Sequence, residues 1–192
     1  MNPYVKSLLL GSFLWYLGAG LFGPLYAVFA ERIGGDILEL TGAYALYLVT
    51  TGLLSIIIGR VIDGHRLKKH LMLAGYALNA LGTFGYLVIS TPSDLFLVQA
   101  VLGVAAALAT PTWDALFSMH LDRNRVGFEW GVSAGMPNVV TGIALLVGGL
   151  IVAAYGFPTL FVVMGIIQVI ATLVQASVYR VSARHHSATT HA

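Results

Sequence analysis

The sequence predicts an all-α integral membrane protein with six transmembrane helices, and three observations predict it. Of the 192 residues, 58% are hydrophobic and 9% charged, and the mean hydropathy is +0.85. Eight acids and ten bases cannot cover a soluble domain of this size, so lipid must be the solvent over most of the surface. The apolar residues fall in long charge-free runs, and the lysines and arginines gather between them.

A helix needs about 20 apolar residues to cross the hydrocarbon core. Residues 7–30 carry no charge and make the first span, 40–62 the second and 70–89 the third. The connection between the second and third, GRVIDGHRLKKHL, is short and densely basic, which reads as the turn of a helical hairpin. Residues 94–119 form the fourth span, with one acid, Asp114, well inside it. The run 130–179 is also charge-free but too long for one crossing. Tyr155-Gly156-Phe157-Pro158 divides it into spans 130–154 and 158–178, because glycine can turn and proline suits the first turn of a new helix. Residues 180–192 read as a flexible cytoplasmic tail. The opening MNPYVKSLLL leads into an apolar run too long for a signal-peptide core, so it is expected to stay as the first span.

Six spans put both termini on one side. Lys6, Arg60, Arg66, Lys68, Lys69, Arg123, Arg125, Arg180 and Arg184 share that side, nine of the ten bases, and Arg32 lies opposite. Basic loops stay in the cytoplasm, so both termini are expected there, in the cell (inner) membrane.

Several classes are excluded. With no cysteine there is no disulfide, thiolate chemistry or thiolate metal site. The bases lie in loops and form no nucleic-acid stripe. No carboxylate pair, nucleophile with its base or metal cluster points to an enzyme, and no cofactor is expected. His185, His186 and His191 read as a solvated tail.

Pro24 and Pro111 stand about three quarters of the way along the first and fourth spans, which cross in opposite directions. Matching interruptions of this kind suggest a 3+3 inverted repeat with a binding site near the midplane; the plainer reading is that proline is common in membrane helices. Asp114 has three readings: a gate pair with Arg60 or Arg125, a substrate or proton site, or snorkelling to the interface, since an ionised group in a span costs a few kcal/mol otherwise. Trp15, Gln99 and Asn138 could line a pathway or simply bond between helices. Pro137 beside Asn138 leaves a carbonyl free. Gly103, with Gly131, Gly135, Gly148 and Gly149, suits close helix packing.

These features resemble one six-helix half of a major facilitator superfamily transporter, over nearly the whole chain. In the family's central-loop motif, glycine precedes an aspartate and then basic residues; Gly59, Asp63, Lys68 and Lys69 fit, with Gly64 where arginine is usual and Arg66 where glycine is usual. PTWDALFSMHLDRNRVGFEWG is similar to the exit of the family's fourth helix and the entry of its fifth, and YGFPTLF to its entry into the sixth. Gln99 stands where the fourth-helix motif has arginine, and Ala144-Leu145 where the antiporter motif has Gly-Pro, so proton-coupled antiport is not implied.

The resemblance implies transport of a small organic solute by alternating access, with Gly59, Asp63, Arg66, Lys68, Lys69 and Arg125 as the cytoplasmic loop motif and gate. It also implies a partner, either a second copy in a homodimer or another six-helix half, with Asp63 reaching residues 128–130 of that partner. Aromatics and amides with one acid would suit a neutral or weakly cationic solute. The competing expectation is a non-transporting membrane module that pairs with another membrane protein.

Overall fold

The computed structural model describes residues 1–63 and 67–189, with side chains as far as Val178; Arg66, His191 and the side chains of Arg180, Arg184, His185 and His186 lie outside what is described. Every regular element among the described residues is helical. α1 runs Pro3–Gly20, α2 Leu25–Arg32, α3 Ile37–Ile62, α4 Lys68–Gly85, α5 Pro92–Met119 and α6 Val126–Thr189. A 3₁₀ turn, Tyr86–Val88, extends α4.

The helix ends follow local chemistry. Asn2 caps α1 by accepting from the Tyr4 N–H at 3.0 Å. Asp36 and Glu39 form a reciprocal capping box on α3, and Thr91 and Asp94 form another on α5, each satisfying amides that the first turn leaves unpaired. At the other end of α3, Lys68 Nζ donates to the Ile62 carbonyl at 2.6 Å, where the helix dipole favours a cation.

The expected first span is not one helix. α1 stops at Gly20, a turn intervenes, and α2 restarts after Pro24 at 45° to it, because proline has no N–H with which to continue the ladder. Pro111, the proposed counterpart, sits inside an unbroken α5, so the two prolines do different work. α6 is broken at Gly156, whose φ of 81° suits glycine. Beyond that break α6 continues to Thr189, past the expected start of the tail at 180; no glycine or proline follows Gly165 to stop it. α3, the extended α4, α5 and α6 are each long and apolar enough to cross a membrane, and the bent α1–α2 pair makes a fifth candidate.

Two cores lie along the bundle. One is rich in aromatics: Phe22 packs edge-on to Phe29, Tyr86 and Phe161 at 4.9–5.9 Å between ring centres. The other gathers Tyr4, Leu8, Met72, Trp113 and Phe117. Two glutamines tie α1 to α6. Gln168 Nε2 donates to the Trp15 carbonyl at 3.0 Å, and Gln175 Nε2 donates to the Leu8 carbonyl at 3.1 Å. Both pairs are spaced by seven residues, running in opposite directions along antiparallel helices. Gly11 and Gly18 make the room: a Cβ on either would come within 2.5–2.6 Å of the glutamine amide.

Candidate functional site

Three cavities follow one another along α1. The first, the inner cavity nearest the basic end, of about 110 Å³, is lined by Ser12, Trp15 and Tyr16 of α1, Tyr76 of α4, Thr110, Trp113 and Asp114 of α5, and Ser133 of α6. It shares Trp15 with the second, of about 120 Å³, where Tyr47, Asn79, Thr83 and Gln168 take part. The second shares Phe22 and Tyr86 with the third, of about 480 Å³, which reaches Pro24, Tyr26, Tyr44 and Gln99.

The walls are held by bonds made behind them. Gln175 donates to the Tyr76 hydroxyl at 3.0 Å, and the Trp113 indole N–H donates to the Leu8 carbonyl at 3.1 Å. Trp15 meets Tyr76 edge-on, with centres 4.8 Å apart and planes at 66°. Gln99 is buried and donates to the Tyr86 hydroxyl at 3.4 Å.

The expected residues separate into groups. Asp114, Trp15, Gln99 and Pro24 line cavities. Pro111 lies one residue from Thr110, inside α5. Asn138 lines none: it is exposed, and its amide turns back on its own helix to the Ala134 carbonyl at 2.9 Å. The carbonyl that Pro137 leaves without its helical donor is that of Ser133, which does line the inner cavity. Asp114 makes no ion pair with Arg60 or Arg125 among the described residues. It lies five residues before the end of α5, roughly 8 Å up the axis, whereas both arginines are exposed at helix ends.

The glycines also divide. A Cβ at Gly103 would meet the Tyr47 carbonyl and Thr50 of α3 at 2.9 Å, and one at Gly148 would overlap the Leu21 carbonyl. At Gly59, Gly131, Gly135 and Gly149 nothing lies within 4 Å.

One end of the bundle carries the loop-motif residues. Asp63 is exposed at the end of α3, Lys69 sits 5.5 Å over the Tyr4 ring, and Tyr4 stacks on His120 at 3.9 Å. Arg125 is exposed just before α6. Sequence reasoning missed Glu129 here. It is fully buried, accepts the Asp122 N–H at 3.1 Å and lies 3.8 Å from the Met1 amine. An acid in a first helical turn reads as a dipole complement, which hid it. Tyr16, Tyr76 and Trp113 were missed too; Tyr16 and Tyr76 reach α5 only in three dimensions, whereas Trp113 stands next to Asp114 in the chain.

A bundle of long apolar helices, at least four of them able to cross a membrane, defines a multi-pass membrane protein. The chain belongs to the Major Facilitator Superfamily, whose family model matches residues 8–192. It is 23% identical over 163 residues to an uncharacterized MFS-type transporter of Methanocaldococcus jannaschii, a match covering 85% of this chain and 42% of that protein. The chain thus spans less than half the length of that relative.

Proposed function

We propose that this chain is one six-helix unit of a secondary transporter, which moves a small organic solute by alternating access between itself and a second unit. The bent pair α1–α2, then α3, α4, α5 and the two parts of α6 on either side of Gly156 serve as the six spans, in a 3+3 inverted repeat. The observation that carries the reading is the succession of cavities from Asp114 to Gln99 on the side where α3 and α6 line it. A glycine stripe on the outer face of α6 supports a second unit. Gly131, Gly135, Gly142 and Gly149 all have open space around them. At about 100° per residue they fall within roughly 40° of one another on α6, the kind of face that lets a further helix approach.

A second copy of this chain, inserted the same way, fits that role, since halves of this kind are related by an axis along the membrane normal. Asp63 then meets the start of α6 of the second copy, where free amides and the helix dipole favour an anion. To test it, cysteines at Asp63 and Phe128 are placed on separately tagged copies, with solute uptake measured in vesicles. The expected result is a mixed disulfide between copies. Crosslinking confined to single chains refutes the homodimer and leaves a different six-helix half, or a non-transporting module, as the occupant.

The basic end of the bundle, with Lys68, Lys69, Arg123 and Arg125, is the cytoplasmic one by the positive-inside rule. Cysteines at Asp36 and Asp94 should then react with an impermeant reagent from outside, and one at Asn124 should not. Labelling of position 124 in sealed cells reverses the orientation.

A further inference from the structure

We infer that the inner cavity binds an organic cation, with aromatic rings for its walls and Asp114 as its counter-charge. The inference rests on the transport reading above and specifies the solute class for it.

Four aromatic side chains, Trp15, Tyr16, Tyr76 and Trp113, line the same cavity of about 110 Å³ as a single carboxylate, at whose open side Tyr16 and Asp114 are exposed. No lysine, arginine or histidine lines the cavity, so it offers an anion no counter-charge. Two of the four aromatics have their polar atoms engaged elsewhere: Trp113 N–H by Leu8, and the Tyr76 hydroxyl by Gln175. What these two turn toward a ligand is ring surface, beside the hydroxyls of Ser12, Tyr16, Thr110 and Ser133. Trp15 and Tyr76, nearly perpendicular at 66°, make a corner of the kind in which a methylated ammonium contacts two rings at once. Rings of this sort attract a cation through their quadrupoles, most strongly when both are out of water. The carboxylate has no base to neutralise it among the described residues, and in a membrane that charge needs a partner or water. A proton would answer the charge but would leave the aromatic walls and the volume without a purpose. The space holds several waters or one small headgroup.

The test uses the intact protein in lipid nanodiscs. Two of its three tryptophans line the cavity, so intrinsic fluorescence reports occupancy. The probes are choline and its neutral carbon isostere, in which a tert-butyl group replaces the trimethylammonium. Choline is expected to give a saturable change that the isostere does not give over the same range. Asp114→Asn, which keeps the shape and removes the charge, should weaken choline by about tenfold or more, and Asp114→Glu should recover most of that loss. Equal binding of the isostere, wild-type choline affinity in Asp114→Asn, or no saturable response to choline or the bulkier tetraethylammonium each overturns the inference. Uptake into proteoliposomes separates the two readings. Charge-dependent choline binding without uptake keeps the cation site and removes the transport reading. Uptake of neutral or anionic solutes, indifferent to Asp114→Asn, does the reverse.

Discussion

α3 and α5 are nearly indistinguishable as sequences and opposite as structures. Their most apolar windows have mean hydropathies of 1.9 and 1.8, yet 6% of the α3 window is buried and 50% of the α5 window. α5 is enclosed because small residues let its neighbours reach its backbone. Gly75 of α4 lies where a Cβ would come within 2.7 Å of the Ala105 carbonyl and the Ala109 amide, and Ala105, Ala106, Ala107 and Ala109 are all buried. α3 meets α5 around Gly103 and presents Leu48, Val49, Leu53, Ile56 and Ile57 outward. In lipid, apolarity marks membership of the membrane and nothing more. Which helices pack is decided by small residues and polar atoms, because tails are as apolar as leucine.

A graded series of leucine substitutions sharpens this contrast. The largest loss is expected at Gly75 and Gly148, where the added side chain collides with backbone that cannot turn aside. Overpacking there should cost about 1–3 kcal/mol or more, read as a fall in thermal stability or in the yield of monodisperse protein. Near-wild-type stability of Gly75→Leu would show that α4 and α5 separate more easily than their packing implies. At Gly103 the loss should be smaller, near ~1 kcal/mol, because α3 is held on one side and can shift outward.

The smallest effect on the fold is expected at Gly131 and Gly135, where a Cβ meets nothing within 4 Å. Leucine there should leave the thermal midpoint of the separated chain unchanged, yet abolish crosslinking between copies and solute uptake. If both assembly and uptake survive Gly131→Leu and Gly135→Leu, the glycine face of α6 meets lipid and the second unit docks elsewhere.

The cavity was legible only in part. Trp15, Gln99, Pro24 and Asp114 stood out because each is rare or costly inside an apolar run, and all four line the cavities. Asn138 stood out for the same reason but spends its amide on Ala134, since an exposed polar side chain in a helix bonds most readily to its own preceding turn. Gln168 and Gln175 attracted no notice, yet they fasten α1 to α6, and Gln175 also holds Tyr76 in place. Their partners are backbone carbonyls, which leave no mark in a sequence.

By itself the sequence determined the solvent, the helical class and most breaks in the chain. Those depend on counting: runs of apolar residues of bilayer length, the loops that hold the bases, and the glycine and prolines where the helical ladder cannot continue. The sequence could not decide how the first span divides, because Pro24 ends a helix and Pro111 does not, and the difference lies in what packs around each. Tertiary structure alone brought Tyr16 and Tyr76 to Asp114, buried Glu129, and separated the glycines that touch backbone from those that face open space. Each of these depends on distances between helices far apart in the chain, and close packing sets those distances through many small contacts at once.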